Sequence, residues 1–351
     1  MKTPRPLTDI GLERPPYLIA EMSGNHDGSL DRALQIIDAA AASGADAIKL
    51  QTYTAGTMTL PISTGEFTIN DPTSLWDGES LHELYERAHT PWDWHQTIFD
   101  HARNRGLLCF SSPFDESAIS LLESLNAPAY KIASFECIDL PLVEAAASTG
   151  KPLVISTGMA TLSEIGDAVE TARSANCKAL TLLKCTSNYP ADPGDSHLRT
   201  IPHMRELFGC EVGLSDHTLG IGAALGAIAL GATVIEKHTT LSRDDEGVDA
   251  EFSLEPAELA QLATEMETVW RARGHINYGP IESELGARLR RRSLYIAEDL
   301  ESGEQLTPKN LRRVRPGLGL PPRYFAQLLG RRVTRPVRKG TPMSWDLVMK
   351  D

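Results

Sequence analysis

Eight short apolar runs rich in β-branched residues punctuate this chain, and their spacing constrains the fold more than any other feature. They are Tyr17–Met22, Ala47–Tyr53, Leu107–Pro113, Ala129–Ser134, Pro152–Gly158, Leu180–Ser187, Glu211–His217 and Thr233–Thr240. Helix-type segments separate them, among them Leu30–Ser43, Glu116–Leu125, Leu140–Ser148, Ser163–Ser174 and Ile221–Leu230. Near-continuous apolar strands that alternate with helices belong to parallel sheets covered on both faces. Eight such units in roughly 250 residues fit a closed (β/α)8 TIM barrel better than an open doubly wound sheet. No G-x-G-x-x-G follows the first run, which argues against a dinucleotide fold. Gly317 and Gly319 do not supply one either, because Pro321 and Pro322 block the helix that would have to follow.

One interval is irregular. The second and third runs start 60 residues apart, whereas the others start 22 to 31 apart. The excess, Ala55–Thr90, becomes a long loop on the C-terminal face of the barrel, where active sites lie, and is expected to fold over the substrate. The strand–helix texture ends near Gly279. Residues 1–280 are therefore read as the barrel and 281–292 as a linker. Residues 293–351 are read as a small β-rich domain, from the strand-like pieces SLYIAEDL, LTPKNLRRV and LLGRRVTRPV. A domain that small buries little core and is expected to pack on a barrel.

Charge divides along the same line. Residues 288–351 hold 15 Lys and Arg against 6 Asp and Glu, a net of +9. The first 287 residues carry 19 against 41, a net of −22, which gives −13 for the chain. So acidic a body argues against nucleic-acid binding, and the basic tail is expected to dock on an acidic surface, its own or a partner's. Apolar residues at 41% and charged residues at 23% are ordinary for a globular protein. No apolar run reaches the ~18 residues of a membrane span, and the first residues lack the apolar segment of a secretory signal, so a cytoplasmic protein is expected. Five cysteines without a C-x-x-C pair predict free thiols.

Polar residues cluster where the strands end. Side chains alternate along a strand, so Ser215 and His217 share a face, as do Glu236 and His238. On neighbouring strands ~5 Å apart, the two imidazoles converge. Together with water and substrate oxygens, they suit a loosely held divalent metal. Lys131, Ser134, Ser156, Ser187 and Ser215 come from strands four to seven, and a cation ringed by hydroxyls suits a phosphate or carboxylate. Lys49 adds a second positive charge. A lysine in a barrel mouth also serves Schiff-base chemistry, the competing mechanism within this fold.

The order of these motifs resembles the sialic acid synthase family. The carriers are AEMSGNHDGS (Ala20–Ser29), IKLQTYT (Ile48–Thr54), FSSPFD (Phe110–Asp115), YKIASFE (Tyr130–Glu136), VISTGMA (Val154–Ala160), KCTSNYP (Lys184–Pro190), VGLSDHT (Val212–Thr218) and IEKHTT (Ile235–Thr240). The tail, from RRSLYIAEDL onward, resembles the antifreeze-like (SAF, β-clip) domain that follows the barrel there. The resemblance implies an enzyme that condenses phosphoenolpyruvate with an acetamido sugar, as a homodimer with exchanged tail domains. AEMSGNH, ASFE and the insertion LWDGESLHELYERAHTPWDWH resemble the branch that acts on 2,4-diacetamido-2,4,6-trideoxy-altrose. The alternatives are a sialic or legionaminic acid synthase and, in a different class, an inert sugar-binding module.

The same resemblance implies roles. His217 and His238 bind the metal, with Mn, Mg or Co as candidates. Lys131, Ser134, Ser156, Ser187 and Ser215 hold the phosphate, while Lys49 and Ser111 meet the carboxylate of phosphoenolpyruvate. Glu21, Gln51, Tyr189 and Asp249 face the sugar, and Arg315 reaches a partner subunit's sugar. Glu21, with Glu136 as the alternative, positions or deprotonates the water.

Overall fold

Parallel pairing gathers the eight apolar runs into one closed sheet. The strands are β1 (Tyr17–Glu21), β2 (Ala47–Thr52), β3 (Leu108–Pro113), β4 (Tyr130–Ile132), β5 (Leu153–Ser156), β6 (Leu180–Cys185), β7 (Glu211–Asp216) and β8 (Val234–His238). Each bonds to the next, and β8 closes on β1 from Tyr17↔Val234 to Glu21↔His238. This computed structural model describes residues 3–72, 74–245 and 247–349. The barrel is the one the spacing predicts, with strand ends a residue or two inside the apolar runs.

Alternation sorts the side chains into two cores. Tyr17, Ile19, Ala47, Phe110, Ala129, Val154, Leu183 and Val234 pack together, and these are the inward positions of the lower barrel. The intervening residues, such as Leu18, Ile48, Leu50, Tyr130, Ile132 and Ile155, face out and join the apolar stripes of the helices. Each large apolar side chain so buried contributes about 1.5–3 kcal/mol. The apolar filling stops two to five residues before each strand ends. Above it the inward positions are polar, which builds a well at the C-terminal mouth.

Side-chain caps start the helices that follow. Ser29, Asp115, Asp139 and Thr161 accept from the first free backbone amides of helices Leu30–Ala42, Glu116–Ser124, Leu140–Ser148 and Leu162–Ser174. Each cap contributes about 1 kcal/mol. The insertion after β2 is ordered rather than a bare loop, with helical turns at Ala55–Met58, Gly65–Phe67 and Leu81–Ala88. It approaches the mouth at Gly24. A Cβ there would lie 3.1 Å from the Ala88 carbonyl and collide with the Val248 side chain.

The chain divides into two compact units, Met1–Gly274 and His275–Asp351. The second has its own core of Leu294, Ile296, Leu300, Leu306, Leu311, Leu328, Val333 and Met343. Its β9 (Ser293–Ile296) and β10 (Leu311–Val314) pair antiparallel. The third strand-like piece, LLGRRVTRPV, contributes only isolated bridges, such as Gln305↔Arg332 and Leu300↔Val337. Among the described residues, no helix is long and apolar enough to cross a membrane.

Candidate active site

His217 follows β7 and His238 ends β8, and their ring centroids stand 5.3 Å apart. Between them in the alternation, Asp216 and Lys237 point outward. They are register partners and form an ion pair at 2.8 Å, with side chains almost wholly buried. Lys237 also donates to the Thr218 carbonyl. This outward clamp fixes the register that turns both imidazoles inward.

The donor chemistry fits a divalent metal. His217 Nδ1 donates to the Thr186 carbonyl at 2.8 Å, which leaves Nε2 with its lone pair. His238 Nδ1 is buried and makes no hydrogen bond among the described residues, although Asp249 Oδ2 stands 3.5 Å away. Burial, with His217 and the lysines adding to it, holds His238 well below the usual range, so its ring is neutral at pH 7. For His217 burial acts in the same direction, but contact with Cys185 pushes it up on balance. Among the described residues no three His, Cys, Asp or Glu converge as a ligand cluster. Two imidazoles would thus be the protein's donors to a metal, which would keep open positions.

Beside the histidines lies a buried charge cluster. Lys49 Nζ is 2.6 Å from Glu21 and 3.8 Å from Glu236, and Lys131 Nζ is 3.5 Å from Glu236. Burial pushes the Glu21 carboxyl up to about 7, with Lys49 opposing. Burial acts on Glu236 the same way, but Lys131 and Lys49 outweigh it and keep this carboxylate below the usual range. Glu236 is therefore the counter-charge that both lysines share. It lies two residues before the end of β8 and shares a face with His238, and that parity is the signal that could have marked it as a site residue.

Lys131 is within electrostatic reach of Cys185, around which serine hydroxyls gather. Ser134 Oγ accepts from the Gly158 amide at 3.1 Å and its hydroxyl also bonds to the Cys185 sulfur. Ser156 Oγ is buried with no hydrogen-bond partner among the described residues. A Cβ on Gly158 would collide with Ser187 Oγ and lie 2.9 Å from Ser134 Oγ, so the glycine keeps this corner open. Ser215 differs from the other hydroxyls. It donates to Glu236 at 2.9 Å and so offers its proton there. Cys185 faces the same corner, its Sγ 3.8 Å from both Ser187 Oγ and His217 Nδ1. Burial alone would raise this thiol, but the His217 contact brings it down to about 7.

The other wall is amide, carboxylate and aromatic. Gln51 donates to Glu21 and to Ser23, each at 3.1 Å, and Ser23 donates to Asp249. Tyr189 lies 4.5 Å from His217, and Phe252 lies 5.0 Å from His238. Glu136 sits on the turn Phe135–Ile138 with one buried oxygen unpartnered among the described residues. Burial lifts this carboxyl to about 7 as well. Arg315 belongs to the second unit and is exposed.

One expectation is corrected. Ser111 does not face the well. Its register partners are Leu50 and Tyr130, both outward, and its hydroxyl lies 2.6 Å from Thr52, which in turn bonds His95 at 2.8 Å. Ser112 shares the inward face of Phe110, and Lys49 donates to its hydroxyl at 3.3 Å. The period of two decides between these adjacent serines.

Residues 36–278 match the NeuB family, and residues 291–349 match the SAF domain. The chain is 41% identical over 337 residues to the pseudaminic acid synthase of Helicobacter pylori, covering 95% of this chain and 98% of that protein. It is 34% identical over 336 residues to the N,N'-diacetyllegionaminic acid synthase of Legionella pneumophila, covering 94% of each. The crystal structure of the N-acetylneuraminic acid (sialic acid) synthetase from Leptospira borgpetersenii superposes with a TM-score of 0.70 at 33% identity, over 78% of this chain and 90% of that one. A barrel with this mouth, matched over most of its length, followed by a matched tail, belongs to the NeuB family with a C-terminal SAF domain.

Proposed function

We propose that this chain catalyses the reaction of a pseudaminic acid synthase. Phosphoenolpyruvate condenses with 2,4-diacetamido-2,4,6-trideoxy-altrose to give a nine-carbon 2-keto sugar acid and phosphate. The observation that supports the reading is the closeness, in one buried well, of the imidazole pair, Lys131 and the hydroxyls around Cys185. The higher identity to the pseudaminic than to the legionaminic acid synthase favours this sugar.

Carbon 3 of phosphoenolpyruvate attacks the aldehyde carbon of the open-chain sugar, and the aldehyde oxygen takes a proton. Water adds to the cation left at carbon 2, and the tetrahedral intermediate collapses with loss of phosphate. Lys131, Ser134, Ser156 and Ser187 hold the phosphate, with Ser215 keeping Glu236 in place between the lysines. Lys49 and Ser112 take the carboxylate. Gln51, Tyr189 and Asp249 orient the sugar. Glu21 or Glu136 accepts the proton of the attacking water, since a carboxyl near 7 is suited to that exchange. His217 and His238 would hold a divalent metal, which supplies Lewis acidity toward the aldehyde oxygen. A dimer with exchanged tails, bringing Arg315 to a partner's sugar, is part of the proposal. The opposed charges of tail and body support it.

Phosphate release and product mass test the reaction. With phosphoenolpyruvate, the diacetamido-trideoxy sugar is expected to release phosphate and yield the nine-carbon acid. EDTA should stop this and Mn should restore it. Faster turnover of N-acetylmannosamine moves the chain to the sialic acid branch, and no release with any acetamido sugar leaves an inert binding module. Release that ignores EDTA removes the metal. Steady-state kinetics separate the two serines. Ser112→Ala should raise the KM for phosphoenolpyruvate about 10- to 100-fold, the range for a hydrogen bond to a charged group. Ser111→Ala should leave that KM unchanged and lower the melting temperature. The reverse pattern would return the carboxylate to Ser111.

A further inference from the structure

The insertion between β2 and β3 has no part in the chemistry above, yet it carries an aromatic ring to the rim of the well. Trp76 lies 6.1 Å from the Tyr189 ring between centroids, tilted by 54°. Tyr189 lies 4.5 Å from His217, so one ridge of rings runs from the imidazole pair outward to the insertion. The Trp76 indole N–H donates to the Val248 carbonyl at 3.2 Å. An indole has a single donor, so Trp76 has only its π faces left to offer. Trp76 and Val248 also border a cavity of about 550 Å³ whose rim is charged, with Asp27, Glu79, Arg87 and Arg243. The ring pair is the apolar step between that charged rim and the polar well.

Length decides what this step meets. A six-carbon chain extended from its aldehyde spans roughly 6 Å. With the aldehyde at the histidines, a chain of that length runs along the Tyr189 ring and directs its far end toward the Trp76 side of the ridge. We propose that Trp76, Tyr189 and Val248 form a subsite for the distal end of the sugar that selects a terminal methyl over a terminal hydroxymethyl. A methyl packs on the indole face and the Val248 side chain. A hydroxyl at the same place is desolvated beside a donor and an acceptor already bonded to each other. This assignment rests on the sugar-condensing reading and names the part of the sugar that the insertion recognises.

The test compares kcat/KM for 2,4-diacetamido-2,4,6-trideoxy-altrose and its 6-hydroxy counterpart at saturating phosphoenolpyruvate. The wild-type protein should favour the 6-deoxy sugar about 10- to 100-fold, the range an apolar pocket achieves against an added hydroxyl. Trp76→Ala should bring the two sugars close to parity by loss on the 6-deoxy sugar, with the KM for phosphoenolpyruvate unchanged. Trp76→Phe should keep most of the preference. Val248→Ser, which places a hydroxyl in the wall without removing the ring, should also narrow it and serves if the alanine variant fails to fold. A preference that survives both Trp76→Ala and Val248→Ser, or two sugars that fall in parallel, overturns the subsite and leaves the reaction intact. Wild-type protein that releases no phosphate with either sugar overturns both the reaction and the subsite.

Discussion

Lys131→Met should weaken phosphoenolpyruvate binding by about 10² to 10³-fold, the cost of removing one partner from a buried charge pair that also holds an anion. The ammonium is buried and 3.5 Å from Glu236, and the Ser156 hydroxyl is buried without a hydrogen-bond partner among the described residues. Methionine fills the space but leaves Glu236 to Lys49 alone, 3.8 Å away. The less compensated carboxylate then repels the incoming phosphate. The loss should appear in direct titration of phosphoenolpyruvate without sugar, which separates it from turnover. Lys151→Met, which removes a cation paired with Glu123 on the outer surface, should leave binding at the wild-type level. A Lys131 variant that binds phosphoenolpyruvate like wild type would take the phosphate out of this corner of the barrel.

Glu21→Gln should spare binding and cut turnover by about 10² to 10⁴-fold, the range for loss of a positioned base. The amide keeps the shape and can still contact Lys49 and Gln51, but it cannot take a proton. The pH profile carries the sign. Burial raises this carboxyl to about 7, and a base works only when ionised, so wild-type kcat should climb as pH rises through about 7 and level off above it. The rising limb should vanish in the Gln variant if Glu21 is the base. Glu136 titrates in the same region, so Glu136→Gln is the necessary companion. Survival of the limb in Glu21→Gln together with its loss in Glu136→Gln reassigns the proton to Glu136. Full turnover in both variants would leave neither carboxyl with a part in the chemistry.

Neighbouring positions differ sharply in how legible they were. His217 and His238 were readable because each lies an even number of residues from other inward positions on adjacent strands, and the barrel keeps that parity. The same parity rule excludes Ser111 and admits Ser112, two adjacent serines that a motif alone does not tell apart. Glu236 is legible as an inward polar residue of its strand but not as the shared partner of Lys49 and Lys131. Those lysines sit on β2 and β4, and only closure of the cylinder brings them across the well to β8. Trp76 was hidden for a related reason. It lies in a segment without strand or heptad periodicity, and nothing local says that its ring will reach Tyr189.

Two things about this protein were therefore settled by the order of residues alone. The apolar runs and their spacing set eight parallel strands, and the alternation within each run set which side chains face the axis, because both follow from backbone geometry within a few residues. The tertiary structure alone decided which of those inward groups touch and how burial shifts their charge. It also decided which surface the insertion covers. Those outcomes depend on how strands distant in sequence come together around a common axis, where low polarity and close approach turn ordinary carboxyls and amines into a coupled set.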